Sequence, residues 1–258
     1  MTWVLLATLL VGGGVVYAVV GTLVARRFIR DFVAEKHNDV LAPIFLSAGV
    51  IYAVLLGFLV VAMWDSYDTA RNNTAEEASL LVPLYRQTME MAPGQGAAMR
   101  GLIRRYATEV TTGWPTFQAT GRNSPEARKT VDEILKVFDT LTPSNKVAEI
   151  ADTEFYRTFS QLMLDRDRRL NEAAQSLSWV MWLAAIGGGI ITVGMSFVLY
   201  MERPIPHVVM TTVFAALIGV LLLVMAFLNH PFAGPVAIGP HAFESSRALF
   251  DRIDADFR

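Results

Sequence analysis

VLAPIFLSAGVIYAVLLGFLVVAMW, residues Val40–Trp64, runs for 25 residues without an acidic or basic side chain. A helix rises about 1.5 Å per residue, so about 20 residues cross a hydrocarbon core of about 30 Å. A charge at the centre of such a helix costs about 2.5–3.5 kcal/mol on insertion scales. Three further stretches avoid the same cost: Thr2–Ala25, Leu177–Met201 and His207–Asn229. One apolar run is compatible with a buried core helix. Four in 258 residues predict an all-α, polytopic membrane protein with four transmembrane helices.

Composition agrees, at 53% hydrophobic, 18% charged and a mean hydropathy of +0.39. Soluble domains carry about 25% charged residues. Here the charges crowd between the second and third spans, where Asp65–Ser176 holds 14 Lys/Arg and 16 Asp/Glu. That balance is an ordinary water-facing surface and excludes a basic nucleic-acid patch. The expected organisation is 1–64 for spans 1 and 2, 65–176 for a helical extramembrane domain, 177–229 for spans 3 and 4, and 230–258 for a tail. There is no cysteine, which excludes disulfides and thiolate metal sites. The first span lacks a basic leader, so it is predicted to be retained.

Small residues recur at helical spacing in two spans. Gly14, Ala18 and Gly21 form one stripe, and Gly49, Ala53 and Gly57 form another. Such stripes let a second helix approach closely, and helix packing is their expected role.

Beyond Trp64 the three- and four-residue apolar spacing continues through Ala70, Thr74, Ala78, Leu81 and Tyr85. The second span is therefore predicted to leave the membrane as one long helix, bent near Pro83 and broken at Pro93-Gly94. A helix through Tyr106 and Trp114 follows, and then one capped by Ser124 with Pro125 in its first turn. Thr142–Ser144 reads as a turn. From Lys146 a helical pattern runs toward the third span without an evident break. Glu76 and Glu77 lie about 18 Å beyond Trp64, and Arg166, Arg168 and Arg169 about 12–17 Å before Leu177, at the helical rise. Opposite charges thus fall at similar heights on two neighbouring helices. They suit either a salt-bridged stalk or a vestibule that concentrates anions. The final stretch, Ala242–Arg258, reads as a short amphipathic helix able to dock on the helical domain or the interface.

Two segments resemble a known family. VLLGFLVVAMWDSY at Val54–Tyr67 is similar to the pore-helix segment of bestrophin anion channels, and LNHPFAG at Leu228–Gly234 to the stretch after their last membrane helix. The order of spans, helical domain, spans and tail is similar too, most of all to the bacterial bestrophin-like family. The resemblance implies an oligomeric channel whose second span lines an apolar neck, with rings at Val50, Val54 and Phe58. It also implies anion preference, for which the arginines at 166–169 and Arg104-Arg105 are the sequence's own candidates. The bestrophin calcium clasp has an acidic run after this stretch, whereas Pro235–Gly239 carries no carboxylate. Calcium needs six to eight oxygen ligands, so gating by calcium through this element is not expected.

The function predicted is an oligomeric ion channel in a bacterial inner membrane, with lipid, sister subunits and small inorganic ions as partners. The alternative is a non-conducting scaffold or sensor whose helical domain binds a partner protein. No cofactor or metal is expected, since His37, His207, His230 and His241 lack metal-ligand spacing, and no catalytic motif points to an enzyme. Orientation is read two ways. Arg26, Arg27, Arg30 and Lys36 put the first loop in the cytoplasm and the helical domain outside, whereas the bestrophin resemblance implies the reverse. The charge rule tips the balance toward an extracytoplasmic domain.

Overall fold

The computed structural model describes residues 3–28, 37–141 and 146–256. Among these the chain is helical, with no strand. The described residues form nine α-helices: α1 Trp3–Ala7, α2 Gly13–Phe28, α3 Asn38–Gln87, α4 Pro93–Gly113, α5 Pro125–Phe138, α6 Lys146–Ala174, α7 Trp179–Ser196, α8 Pro204–Leu228 and α9 His241–Asp256. A π-helical turn, Thr8–Gly12, joins α1 to α2. Among the described residues four helical segments are long and apolar enough to cross a membrane: Trp3–Phe28, α3, α7 and α8. The predicted Thr142–Ser144 turn, Arg30 and Lys36 of the first loop, and Phe257 lie outside the described residues.

The chain divides into two compact units. The first comprises 1–65 and 176–229 and holds the four spans. Its helices meet through small residues. Ala18 is fully buried, and a Cβ at Gly14 would stand 3.4 Å from the Ala215 carbonyl oxygen. Gly21 faces the Phe197 ring so closely that any Cβ would collide with it, at 2.2 Å. Gly219 of α8 abuts the π-helical turn, where a Cβ would lie 2.9 Å from the Leu10 carbonyl oxygen. Gly188 and Gly189 make room for the Tyr52 ring, whose hydroxyl donates to the Ala185 carbonyl at 2.9 Å. Large apolar side chains such as Leu9, Val20, Ile191, Val213 and Leu217 are more than half exposed, a surface suited to lipid.

The second unit comprises 66–175 and 230–258. The extramembrane turns of α3 pack with α4, α5, α6 and α9 around Leu81, Tyr106, Ile134, Phe155, Phe243 and Phe250. Ser124 caps α5 as predicted, its Oγ accepting the Ala127 N–H at 3.2 Å, with Pro125 in the first turn. α9 belongs to this core. Its Ser246 hydroxyl donates to the Ala78 carbonyl at 2.7 Å, and its Phe250 ring stacks on Tyr85 at 4.3 Å. The segment leading to α9 is tied down too, with the Trp114 indole N–H donating to the Ile238 carbonyl at 2.9 Å.

Three expectations change. α3 runs as one helix through Pro83, as expected, but it ends at Gln87, and Pro93 opens α4 rather than breaking the helix before it. Proline is tolerated at a first turn because its missing N–H would be unpaired there anyway. The helix from Lys146 does not enter the third span unbroken. α6 ends at Ala174, and α7 starts afresh at Trp179 with Ser178 as N-cap, its Oγ accepting the Val180 N–H at 3.3 Å. The Leu177 N–H, which a continuous helix would have used, is taken by the Asn229 side chain at 2.6 Å. Finally, the third span is shorter than its apolar run, because α7 closes at Ser196 and Phe197–Arg203 forms the turn into α8.

Candidate pore helix and charge cluster

The two faces of α3 differ sharply within the first unit. Tyr52, Leu56 and Leu59 are buried on one side. Val50, Val54 and Phe58 occupy the other, 56%, 54% and 72% exposed. A spacing of four residues keeps those three on one stripe. The described residues of the chain leave more than half of each side chain open.

Beside this stripe lie Gly49, Ala53 and Gly57. The two glycines meet no neighbour, since a Cβ at either has nothing within 4 Å. Among the described residues these two glycines thus pack against no other helix, in contrast to Gly14 and Gly21. The stripe floors an apolar groove of about 610 Å³ between α3 and α8, with Phe45, Phe214 and Leu221 among its walls.

The charged residues singled out from sequence separate into different surroundings in the second unit. Glu77 is fully buried and Arg169 nearly so. They form a two-pronged ion pair, Arg169 Nε to Glu77 Oε2 at 2.6 Å and Nη2 to Oε1 at 3.1 Å. Tyr106 donates its hydroxyl to the same Oε1 at 2.7 Å, and Arg169 Nη1 donates to Gln118 Oε1. The guanidinium also lies over the Trp114 and Phe243 rings, at 5.4 and 5.6 Å. Burial pushes the Tyr106 phenol well above its usual pKa, and the Glu77 carboxylate pushes it further. For Arg169 burial pulls the pKa down, but the charge and hydrogen bonds of Glu77 more than reverse that, so the guanidinium stays charged.

Glu76, one residue from Glu77, is exposed. Arg166 is buried and donates to Asn123 Oδ1 at 2.8 Å, with the Asp167 carboxylate 3.7 Å away. Arg168 is exposed and pairs with buried Asp165 at 3.1 Å. Arg104 binds Asp251 and Asp254, both at 2.8 Å, and Arg105 binds Glu109 and Glu133. Every arginine offered from sequence as an anion attractor is thus already engaged by a protein acceptor. Gln118, Asn123 and Phe243, which complete the surroundings of Arg166 and Arg169, carry no sequence signal for that role. Trp114 and Tyr106 show only as part of the α4 apolar stripe. Among the described residues no group of three acidic or histidine side chains is placed to hold a metal ion.

The bestrophin-like domain matches residues 12–243. The fold is similar to that of a membrane protein solved as a proline-to-alanine variant, at 12% identity and a TM-score of 0.73, over 97% of this chain and 98% of that one. It is similar also to a mutant of a bacterial bestrophin homologue from Klebsiella pneumoniae, at 11% identity and a TM-score of 0.70, over 96% of this chain and 98% of that one. A search of curated proteins finds no match.

Proposed function

The chain belongs to the bestrophin-like family, and from that premise we propose that identical subunits form a ring around an ion-conducting axis, with α3 of each subunit lining an apolar neck. One observation carries the reading. The face of α3 bearing Val50, Val54 and Phe58 is open in the single chain, while the opposite face of the same helix is buried. A single subunit contributes one copy of this stripe, so a closed neck needs a ring of subunits. Stacked valine and phenylalanine rings gate by dewetting, and a pore of this kind passes ions without binding them tightly.

Anion preference is the finer part of the proposal. It rests on the bestrophin resemblance alone, because Arg104, Arg105, Arg166, Arg168 and Arg169 belong to α4 and α6 and none of them to the span proposed to line the neck.

Purified protein reconstituted in a planar bilayer under a chloride gradient tests both parts. Current that reverses near the chloride potential supports an anion channel. Current reversing elsewhere keeps the channel and removes the anion preference. Silence across voltage and pH removes conduction and leaves a membrane scaffold. Val54→Ala, which widens the neck without adding charge, should raise unitary conductance severalfold.

A further inference from the structure

The second unit contains a small cleft remote in role from any neck. It lies between the end of α4, the 3-10 turn Gln118–Thr120, the first turn of α5, and α6. Its volume of about 20 Å³ suits a single body of the size of a water molecule or a halide ion. Arg122, Arg166 and Arg169 line it and no carboxylate does.

Gln118 carries the decisive feature. It is 4% exposed, and its amide orientation is set by Arg169, because a guanidinium only donates and must meet the carbonyl oxygen. The amide nitrogen is then left buried, with no partner among the described residues. An unpaired buried donor is costly, and proteins rarely tolerate one without an acceptor at hand.

The charge balance points the same way. Glu77 answers Arg169 directly. Arg166 has no such counterpart. Its neighbours are the neutral Asn123 side chain and an Asp167 carboxylate at 3.7 Å that is 69% exposed. Buried Asp165 is occupied by Gln161 and Arg168. The N-terminus of the 14-residue α5 also opens on the cleft through Ser124 and Ala127, adding the positive end of a helix dipole.

Several oxygens around the cleft already accept a hydrogen bond: Asn123 Oδ1 from Arg166, Gln118 Oε1 from Arg169, and Ser124 Oγ from the Ala127 N–H. The Ser124 hydroxyl itself donates to Glu126 Oε2 at 3.1 Å. The Gly113 carbonyl at the end of α4 accepts from both Thr116 and Phe117. A water molecule would have to share these acceptors for its own two hydrogens, whereas an anion needs none.

We propose that this cleft binds one small monovalent anion of chloride size, held by the Gln118 amide nitrogen and the charge of Arg166. The site is separate from the neck and stands whether or not the protein conducts.

The test is thermal unfolding of the full-length protein in detergent, in sodium chloride and in sodium gluconate at equal ionic strength. Saturating chloride should raise the midpoint by at least about 2–4 °C, in a dose-dependent manner, and bromide should substitute for it. Gln118→Glu supplies its own negative charge to the cleft and should unfold at the same temperature in both salts. Equal wild-type midpoints in chloride and gluconate overturn the proposal. So does a chloride effect that survives in a folded Gln118→Glu protein. If that variant does not fold, bromide anomalous scattering from wild-type crystals decides. A peak between Gln118 and Arg166 supports the site, and a cleft without one overturns it.

Discussion

The Glu77–Arg169 pair is two charges removed from water, held by matched geometry. Removing one partner leaves the other charge buried and uncompensated. Glu77→Gln or Arg169→Met should therefore each destabilise the helical unit by about 3–5 kcal/mol. The double variant should lose much less than the sum, because no bare charge remains. A double-mutant cycle by chemical denaturation measures this. Glu172 behaves differently. It accepts from Asn73 at one oxygen, but its other oxygen is buried without a partner among the described residues. Burial raises its pKa, against smaller opposing effects of Asn73, Arg168 and Arg169. The folded state then holds this proton more tightly than the unfolded state does. The favourable contribution is fully present below the ordinary carboxylate pKa of about 4.3 and is lost as pH rises through the folded value. Glu172→Gln should accordingly raise the unfolding midpoint at pH 7 and leave it unchanged at pH 3. A pH series of melting curves reads the difference directly.

At the scale of elements, the first unit depends on close backbone approach. Gly219→Leu drives a side chain into the backbone of Leu10 and Val11, which cannot swing aside as a flexible side chain could. Overpacking of this kind costs about 1–3 kcal/mol or more, and the variant should melt earlier in detergent. The second unit depends on α9. Phe250 is fully buried against Tyr85, and the Arg104 guanidinium lies 5.5 Å over its ring. Arg104 binds Asp251 and Asp254 of the same helix. Phe250→Ala should cost about 3–5 kcal/mol, visible as a lowered denaturation midpoint and as protease access to the C-terminal segment.

At the scale of the whole molecule, the open face of α3 separates folding from assembly. A Cβ at Gly57 meets nothing in its own chain. Gly57→Leu should leave the subunit folded, with an unchanged helical circular-dichroism spectrum, and fill the groove that a neighbouring helix would otherwise enter. Light scattering in detergent should then report smaller assemblies than wild type. A wild-type protein that is itself a monomer would sink the ring and the neck together.

The spans were legible from residue order alone because hydropathy is one-dimensional. A run without charge either fits a bilayer or does not, whatever its neighbours. The α5 start at Ser124-Pro125 was legible for a similar reason, since a cap acts on the N–H groups of its own next turn. The small-residue stripes were visible as stripes, but only packing separated Gly14, Ala18 and Gly21, which meet other helices, from Gly49 and Gly57, which meet none. The break between α6 and α7 was hidden because Gln175–Ser178 contains neither glycine nor proline, and Asn229, which takes the Leu177 N–H, lies 52 residues away. Sequence put two glutamates and three arginines at matching heights, but adjacent residues on a helix differ by about 100° in direction. Which carboxylate turned inward, and which arginine met it, was decided when α3, α4, α6 and α9 packed together. Only that packing placed Tyr106, Gln118, Trp114 and Phe243 around Arg169, because burial and partnership belong to several helices at once and to no single stretch of chain.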